Sequence, residues 1–119
     1  MKRLYATLLA LTLTPSLSAC SEDEGEGLPN APTQLRVSLE ATSGVSLTWM
    51  DTSDEEDKYL VERKQAESNG DFAVIAELPA DAVAYTDTEI LAGTIYRYRV
   101  LAVNGFGESA SNEVLIMVP

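Results

Sequence analysis

The stretch Thr94-Ile95-Tyr96-Arg97-Tyr98-Arg99-Val100-Leu101-Ala102-Val103-Asn104, followed directly by Gly105-Phe106-Gly107-Glu108-Ser109, decides the fold. Tyr96, Tyr98, Val100 and Ala102 fall on one side of a period of two, with Arg97 and Arg99 on the other, the pattern of a long strand with one buried face. Two glycines around Phe106 then mark a turn at one end of the strand.

Working outward, Leu35, Val37 and Leu39 alternate with polar residues, as do Val45, Leu47 and Trp49, with Thr42-Ser43-Gly44 as the turn between them. Lys58 to Gln65 puts Tyr59, Val61 and Arg63 on one face. Ser68-Asn69-Gly70-Asp71 gives a hairpin signal in which Asn69-Gly70 favours a tight primed turn before Phe72 to Leu78. Val83 to Thr88 and Asn112 to Val118 complete a set of seven expected strands. No window carries a helical period, and β-branched and aromatic residues concentrate in the alternating segments. The expected class is all-β, a two-sheet sandwich, with a small barrel as the competitor. Two packed sheets are the economical way to bury Trp49, Tyr96 and the aliphatic rows.

Taken in order, Pro29-Asn30-Ala31-Pro32-Thr33-Gln34-Leu35, Val45-Ser46-Leu47-Thr48-Trp49, Tyr59-Leu60-Val61-Glu62-Arg63 and Ala92 to Ser109 resemble a fibronectin type III domain over residues 29–119. The resemblance implies a seven-stranded immunoglobulin-like sandwich with Trp49 in the core. It also implies that Tyr96 forms the tyrosine corner, its hydroxyl bonded to backbone near Ile90 or Gly93. Ala92 stands where the family often has proline. Ile116 is apolar where the last strand is usually polar, so the register of that strand stays open.

At the other end of the chain, Met1-Lys2-Arg3 is basic and Leu4 to Leu13 is an apolar run too short to span a bilayer, the make-up of a removed signal segment. Leu17-Ser18-Ala19-Cys20 resembles a bacterial lipobox, which implies cleavage after residue 19, acylation of Cys20 and attachment to the membrane at the cell envelope. Ser21 stands where that family uses aspartate for inner-membrane retention, so the resemblance implies the outer membrane in a host with two. An ordinary secretory signal that leaves Cys20 as a free thiol is the alternative. Residues 20–28, with Glu22, Asp23, Glu24 and Glu26, read as a tether, part of the polar stretch Ser21 to Ala31 that cannot bury a core and reaches roughly 15–20 Å.

The whole chain carries 19 acids and a formal charge of −11, and loss of residues 1–19 removes Lys2 and Arg3 but no acid, giving −13. Such a polyanion excludes nucleic acid as a partner and disfavours anionic headgroups. The chain has no histidine and a single cysteine, which argues against nucleophilic catalysis and zinc. No catalytic residue, cofactor or metal is expected. Asp51, Ser53, Glu55 and Asp57, with Glu62, superficially echo a calcium loop, but Glu56 occupies the place where such a loop needs glycine. A charged loop is the better reading.

These features describe a monomeric, non-enzymatic domain. Its expected contacts with an envelope protein or glycan are Phe106 in the turn and Leu101 and Val103 on the face opposite Tyr96. Lys58, Arg63, Lys64, Arg97 and Arg99 gather nearby, as a recognition stripe or as cross-strand partners of acids. A structural spacer and an accessory fragment of a carbohydrate-active secreted system are the alternative functions.

Overall fold

The computed structural model describes residues 27–40, 44–52 and 56–119. The expected signal segment, Cys20, nearly all of the expected tether, Thr42 and Ser43 of the expected first turn and positions 53–55 of the acidic loop lie outside the described residues. The described chain forms β1 (Thr33–Glu40), β2 (Gly44–Met50), β3 (Lys58–Gln65), β4 (Ala73–Pro79), β5 (Ala84–Asp87), β6 (Ile95–Asn104), β7 (Gly107–Ala110) and β8 (Val114–Met117). One sheet runs β1-β2-β5. The other runs β4-β3-β6-β7, with β8 also on β6. All pairings are antiparallel, and the expected sandwich is the fold.

The eighth strand is β7, which lies ahead of the last expected strand, in the stretch read from the sequence as a turn, while β8 falls within the expected strand from Asn112 to Val118. Both run along β6, Ala110 opposite Leu101 and Val114 opposite Tyr98. Between them Ser111 substitutes for the ladder: its N–H donates to the Val100 carbonyl at 2.8 Å, and its Oγ accepts from the Val100 N–H at 2.9 Å. Asn112 then turns to the other sheet. Its Oδ1 accepts from the Leu35 N–H at 3.0 Å and its Nδ2 donates to the Leu35 carbonyl at 3.2 Å. Leu35 needs this bridge, because β1 is bulged between Thr33 and Arg36 and Gln34 sits at φ 55°. In β8, Ile116 lies opposite Tyr96 and packs against the core, which settles the open register.

The core is filled by Leu35, Val45, Leu47 and Trp49 from one sheet and Tyr59, Val61, Tyr96, Tyr98, Val100 and Ala102 from the other. Trp49 meets Tyr59 edge-on, centroids 5.9 Å apart. The indole Nε1–H is buried without a hydrogen-bond acceptor among the described residues. An unmet donor costs about 1–3 kcal/mol, whereas burying an indole stabilises by roughly 4–6 kcal/mol. The apolar gain wins.

The β3–β4 connection departs from the expected tight turn. Neither Asn69 nor Gly70 has a positive φ, as a primed turn requires. The cause lies in β3, which keeps to β6 beyond its last residue, the Ala66 N–H donating to the Ile95 carbonyl at 2.8 Å. Arg63 pairs with Ala73, and the residues between form a wider loop.

Asn112→Ala leaves the Leu35 N–H and carbonyl without partners and is expected to lower the unfolding free energy by about 1–3 kcal/mol. Urea denaturation checks this as a lower midpoint at unchanged slope. A loss under about 0.5 kcal/mol, the range of an ordinary surface change, would show that β1 does not depend on the bridge.

Candidate functional site

The two ends of the sandwich differ. At the N-terminal end the chain runs along the tips of β2 and β6. The Gly27 carbonyl accepts from Asn104 Nδ2 at 3.0 Å, Thr52 Oγ1 donates to the Ala31 carbonyl at 2.9 Å, and Asn30 Nδ2 donates to the Thr52 carbonyl at 3.3 Å. Gly107 sits at φ 146°, a backbone conformation that favours glycine, and a Cβ there would stand 2.6 Å from Leu28 Cδ2. Phe106 sits at this end, 64% exposed. Asp51 and Glu56 flank the Tyr59 hydroxyl, and burial together with these carboxylates pushes the phenol far above its usual range, so Tyr59 stays a donor. Among the described residues no group of three or more acidic or cysteine side chains is placed to share a metal ion.

At the far end a buried acid joins the two sheets. Asp87, last residue of β5, is 1% exposed. Its Oδ2 accepts from the Tyr98 hydroxyl at 2.6 Å and from Arg63 Nη1 at 2.8 Å, while its Oδ1 accepts from the Glu89 N–H at 3.0 Å. Arg63 Nη1 also donates to the Glu89 carbonyl at 2.9 Å, and its guanidinium lies 5.1 Å from the Tyr96 ring centroid. The Tyr96 hydroxyl accepts from the Leu91 N–H at 3.0 Å, between the two backbone positions the resemblance implied. Burial alone pushes the Asp87 carboxyl up, but the bonds from Tyr98, Arg63 and the Glu89 N–H outweigh it and hold the acid below its ordinary value. Tyr98, buried against that carboxylate, is pushed far up and remains protonated.

Arg63 therefore does not belong to an outer stripe. It pairs in register with Tyr98 on the inner face, as its phase with Tyr59 and Val61 requires. The outer face of the larger sheet carries Lys58, Lys64, Arg97 and Arg99, mostly matched to acids: Lys58–Glu77 at 3.3 Å, Arg97–Glu113 at 3.2 Å and Arg99–Glu62 at 2.7 Å. Arg99 also stacks over Phe72 at 4.1 Å, with Lys64 at 5.5 Å from the same ring. Lys64 has no carboxylate partner among the described residues.

The expected apolar strip on this face needs a second correction. Leu101 is only 3% exposed, set in register between Leu60 on β3 and Ala110 on β7, and Val103 is half-buried. Central-strand residues are covered by their neighbours even on an outer face, which a period of two cannot reveal. The exposed apolar side chains of this face are instead Leu115 at 51% and Met117 at 61% on β8, and Val74 at 53% on β4. At the far end is an open cleft of about 550 Å³ lined by Arg63, Lys64, Gln65, Ser68, Glu89 and Leu91 among others. Sequence reasoning missed this cleft because its walls come from three separate stretches of chain.

A carboxylate held below its unfolded value stabilises the fold above that value, and the stabilisation is lost as pH falls through the folded one. Unfolding free energy is therefore expected to drop on acidification below about pH 4. Asp87→Asn is expected to lower stability at neutral pH and to flatten this acid limb. An acid limb of the same depth in Asp87→Asn, followed by urea titration against pH, would assign it to other carboxylates.

The sequence model of the fibronectin type III domain matches residues 30–118. Amylopullulanase of Thermoanaerobacterium saccharolyticum is 35% identical over 89 residues, 74% of this chain but 7% of that protein. The mouse cell adhesion molecule-related/down-regulated by oncogenes protein is 26% identical over 86 residues, 70% of this chain and 7% of its own length. An Fn3-like protein of Clostridium thermocellum superposes with a TM-score of 0.64 at 32% identity, over 78% of this chain and 96% of that one. The chain thus spans a small part of the curated relatives it matches and nearly all of a solved structure the size of the domain alone. With the two-sheet topology and the Tyr96 corner, these matches place it: the chain belongs to the fibronectin type III family.

Proposed function

We propose that the protein is a bacterial lipoprotein, acylated at Cys20 and held on the cell envelope, on the outer membrane where the host has two. In this reading it presents one non-enzymatic fibronectin type III domain to an envelope protein or glycan. The observation that carries the reading is the course of residues 27–31 along the Phe106 end of the sandwich. Cys20 stands only seven residues before Gly27, a reach of at most about 25 Å. An anchor there turns the Phe106 end toward the membrane and the opposite end outward. The net negative charge keeps the domain off anionic headgroups.

The outward end carries the open cleft together with the exposed Leu91, Leu115 and Met117, a mixture of apolar contact and hydrogen-bonding groups suited to a partner surface. Phe106, at the membrane side, is the weaker contact candidate. The similarity to amylopullulanases, carbohydrate-active enzymes, supports a glycan as one partner class. Matched charges across the outer face favour a second reading, that of a spacer with no selected binding surface.

Cys20→Ser is expected to move the protein from the membrane fraction to the soluble fraction, and its retention on membranes would contradict acylation. In a cross-linking pulldown with the lipidated protein, Met117→Ser is expected to lose a captured envelope partner that Phe106→Ala keeps. Failure of the unaltered protein to capture any partner would leave the spacer as the better reading.

A further inference from the structure

The chain holds two Asn-Gly pairs in loops, Asn69-Gly70 and Asn104-Gly105, and the structure treats them differently. Neither glycine is crowded at its α-carbon. A side-chain carbon would meet nothing within 4 Å at Gly105 and only Ser68 Oγ, at 3.2 Å, at Gly70. The asparagine side chains differ. Asn104 is tied at both atoms, its Oδ1 accepting from the Phe106 N–H at 2.8 Å and its Nδ2 donating to the Gly27 carbonyl at 3.0 Å, in a partly buried setting. Asn69 is exposed and its amide has no hydrogen-bond partner among the described residues. Among the described residues, the side-chain bonds to the Asn69-Gly70 unit are a 2.9 Å bond from the Gly70 N–H to Ser68 Oγ and a 3.3 Å bond from Lys64 Nζ to the Gly70 carbonyl, both exposed.

We propose that Asn69 is a site of spontaneous, structure-selected deamidation, and that Asn104 is protected from it by its two hydrogen bonds. The Gly70 nitrogen, on giving up its proton, attacks Cγ of Asn69. The new N–Cγ bond forms, the Cγ–Nδ2 bond breaks and ammonia carries the proton away. Water then opens the cyclic imide at either carbonyl, leaving aspartate or isoaspartate at position 69. The step needs only water and involves no oxidation or reduction. Ring closure requires the side-chain carbonyl carbon to rotate onto the next nitrogen. Asn69 can do this within the folded loop, whereas Asn104 must first release Phe106 and Gly27.

The product bears on the surface. Ser68 and Asp71 on either side of the pair line the far-end cleft with Lys64, the outer-face cation that lacks a carboxylate partner among the described residues. Conversion adds a negative charge at this rim. The isoaspartate form also inserts a side-chain carbon into the main chain between Ser68 and Gly70. The domain thereby carries an age-dependent change of charge at its far end, opposite the Phe106 loop.

The full chain is incubated folded in mildly alkaline buffer and, in parallel, in urea, and is then digested with trypsin. Cleavage after Lys64, Arg97 and Arg99 places the two asparagines in different peptides for mass spectrometry. In the folded protein Asn69 is expected to convert roughly tenfold or more faster than Asn104, the ratio to which about 1.4 kcal/mol of retained hydrogen bonding corresponds. In urea the two rates are expected to converge. Equal rates in the folded protein, or slower conversion at Asn69 than at Asn104, would overturn the proposal.

Discussion

The buried carboxylate of Asp87 is the contact on which the sandwich is organised. Nothing covalent joins the sheets, because the single cysteine lies ahead of the domain, so their alignment rests on packing and on polar bridges. Asp87 comes from the smaller sheet, and its partners Arg63 and Tyr98 come from the two central strands of the larger one. A charge this deeply placed is costly unless every lone pair is met. Here three donors converge on its two oxygens, and Arg63 is in turn fixed by the Glu89 carbonyl and the face of Tyr96. The same residues hold the 88–91 segment in position, through the Glu89 backbone and through the Leu91 N–H on Tyr96. The tyrosine corner and the acid are one network. The Asn112 bridge to Leu35 repeats the device elsewhere between the sheets, using a neutral amide.

This network also shapes what the domain can offer a partner. By drawing Arg63 inward it leaves an outer face whose charges are largely cancelled in place, and it forms the floor of the far-end cleft. The N-terminal end is occupied by the chain's own approach, residues 27–31 lying against Thr52, Asn104 and Gly107. An arrangement in which residues 27–31 cover one end and the other carries an open cleft is the basis of the display role proposed above. Among the described residues no group of three or more acidic or cysteine side chains is placed to share a metal ion.

Much of this was legible in the residues. The alternation through Tyr96, Tyr98, Val100 and Ala102 gave the central strand and its inner face, because a two-residue period maps directly onto burial in a pleated sheet. Arg63 was legible by phase, sharing a face with Tyr59 and Val61, yet its charge argued for solvent. The acid that overrides this lies 24 residues away, where no local pattern links the two. Leu101 was misplaced for the opposite reason. Alternation assigns a face and says nothing of how far neighbouring strands cover it. The break between β7 and β8 depends on Ser111 and Asn112 replacing backbone groups with side-chain ones, and the wide β3–β4 loop depends on β3 holding to β6. Both are tertiary choices that override the local turn signal.

The most direct test is a double-mutant cycle on Arg63→Gln and Tyr98→Phe, measured by urea unfolding at neutral pH. If both side chains act through the Asp87 carboxylate, the effects are non-additive, with an interaction term of about 1 kcal/mol or more. Additivity within about 0.5 kcal/mol would mean that the two contacts are independent and that Asp87 does not organise the interface between the sheets.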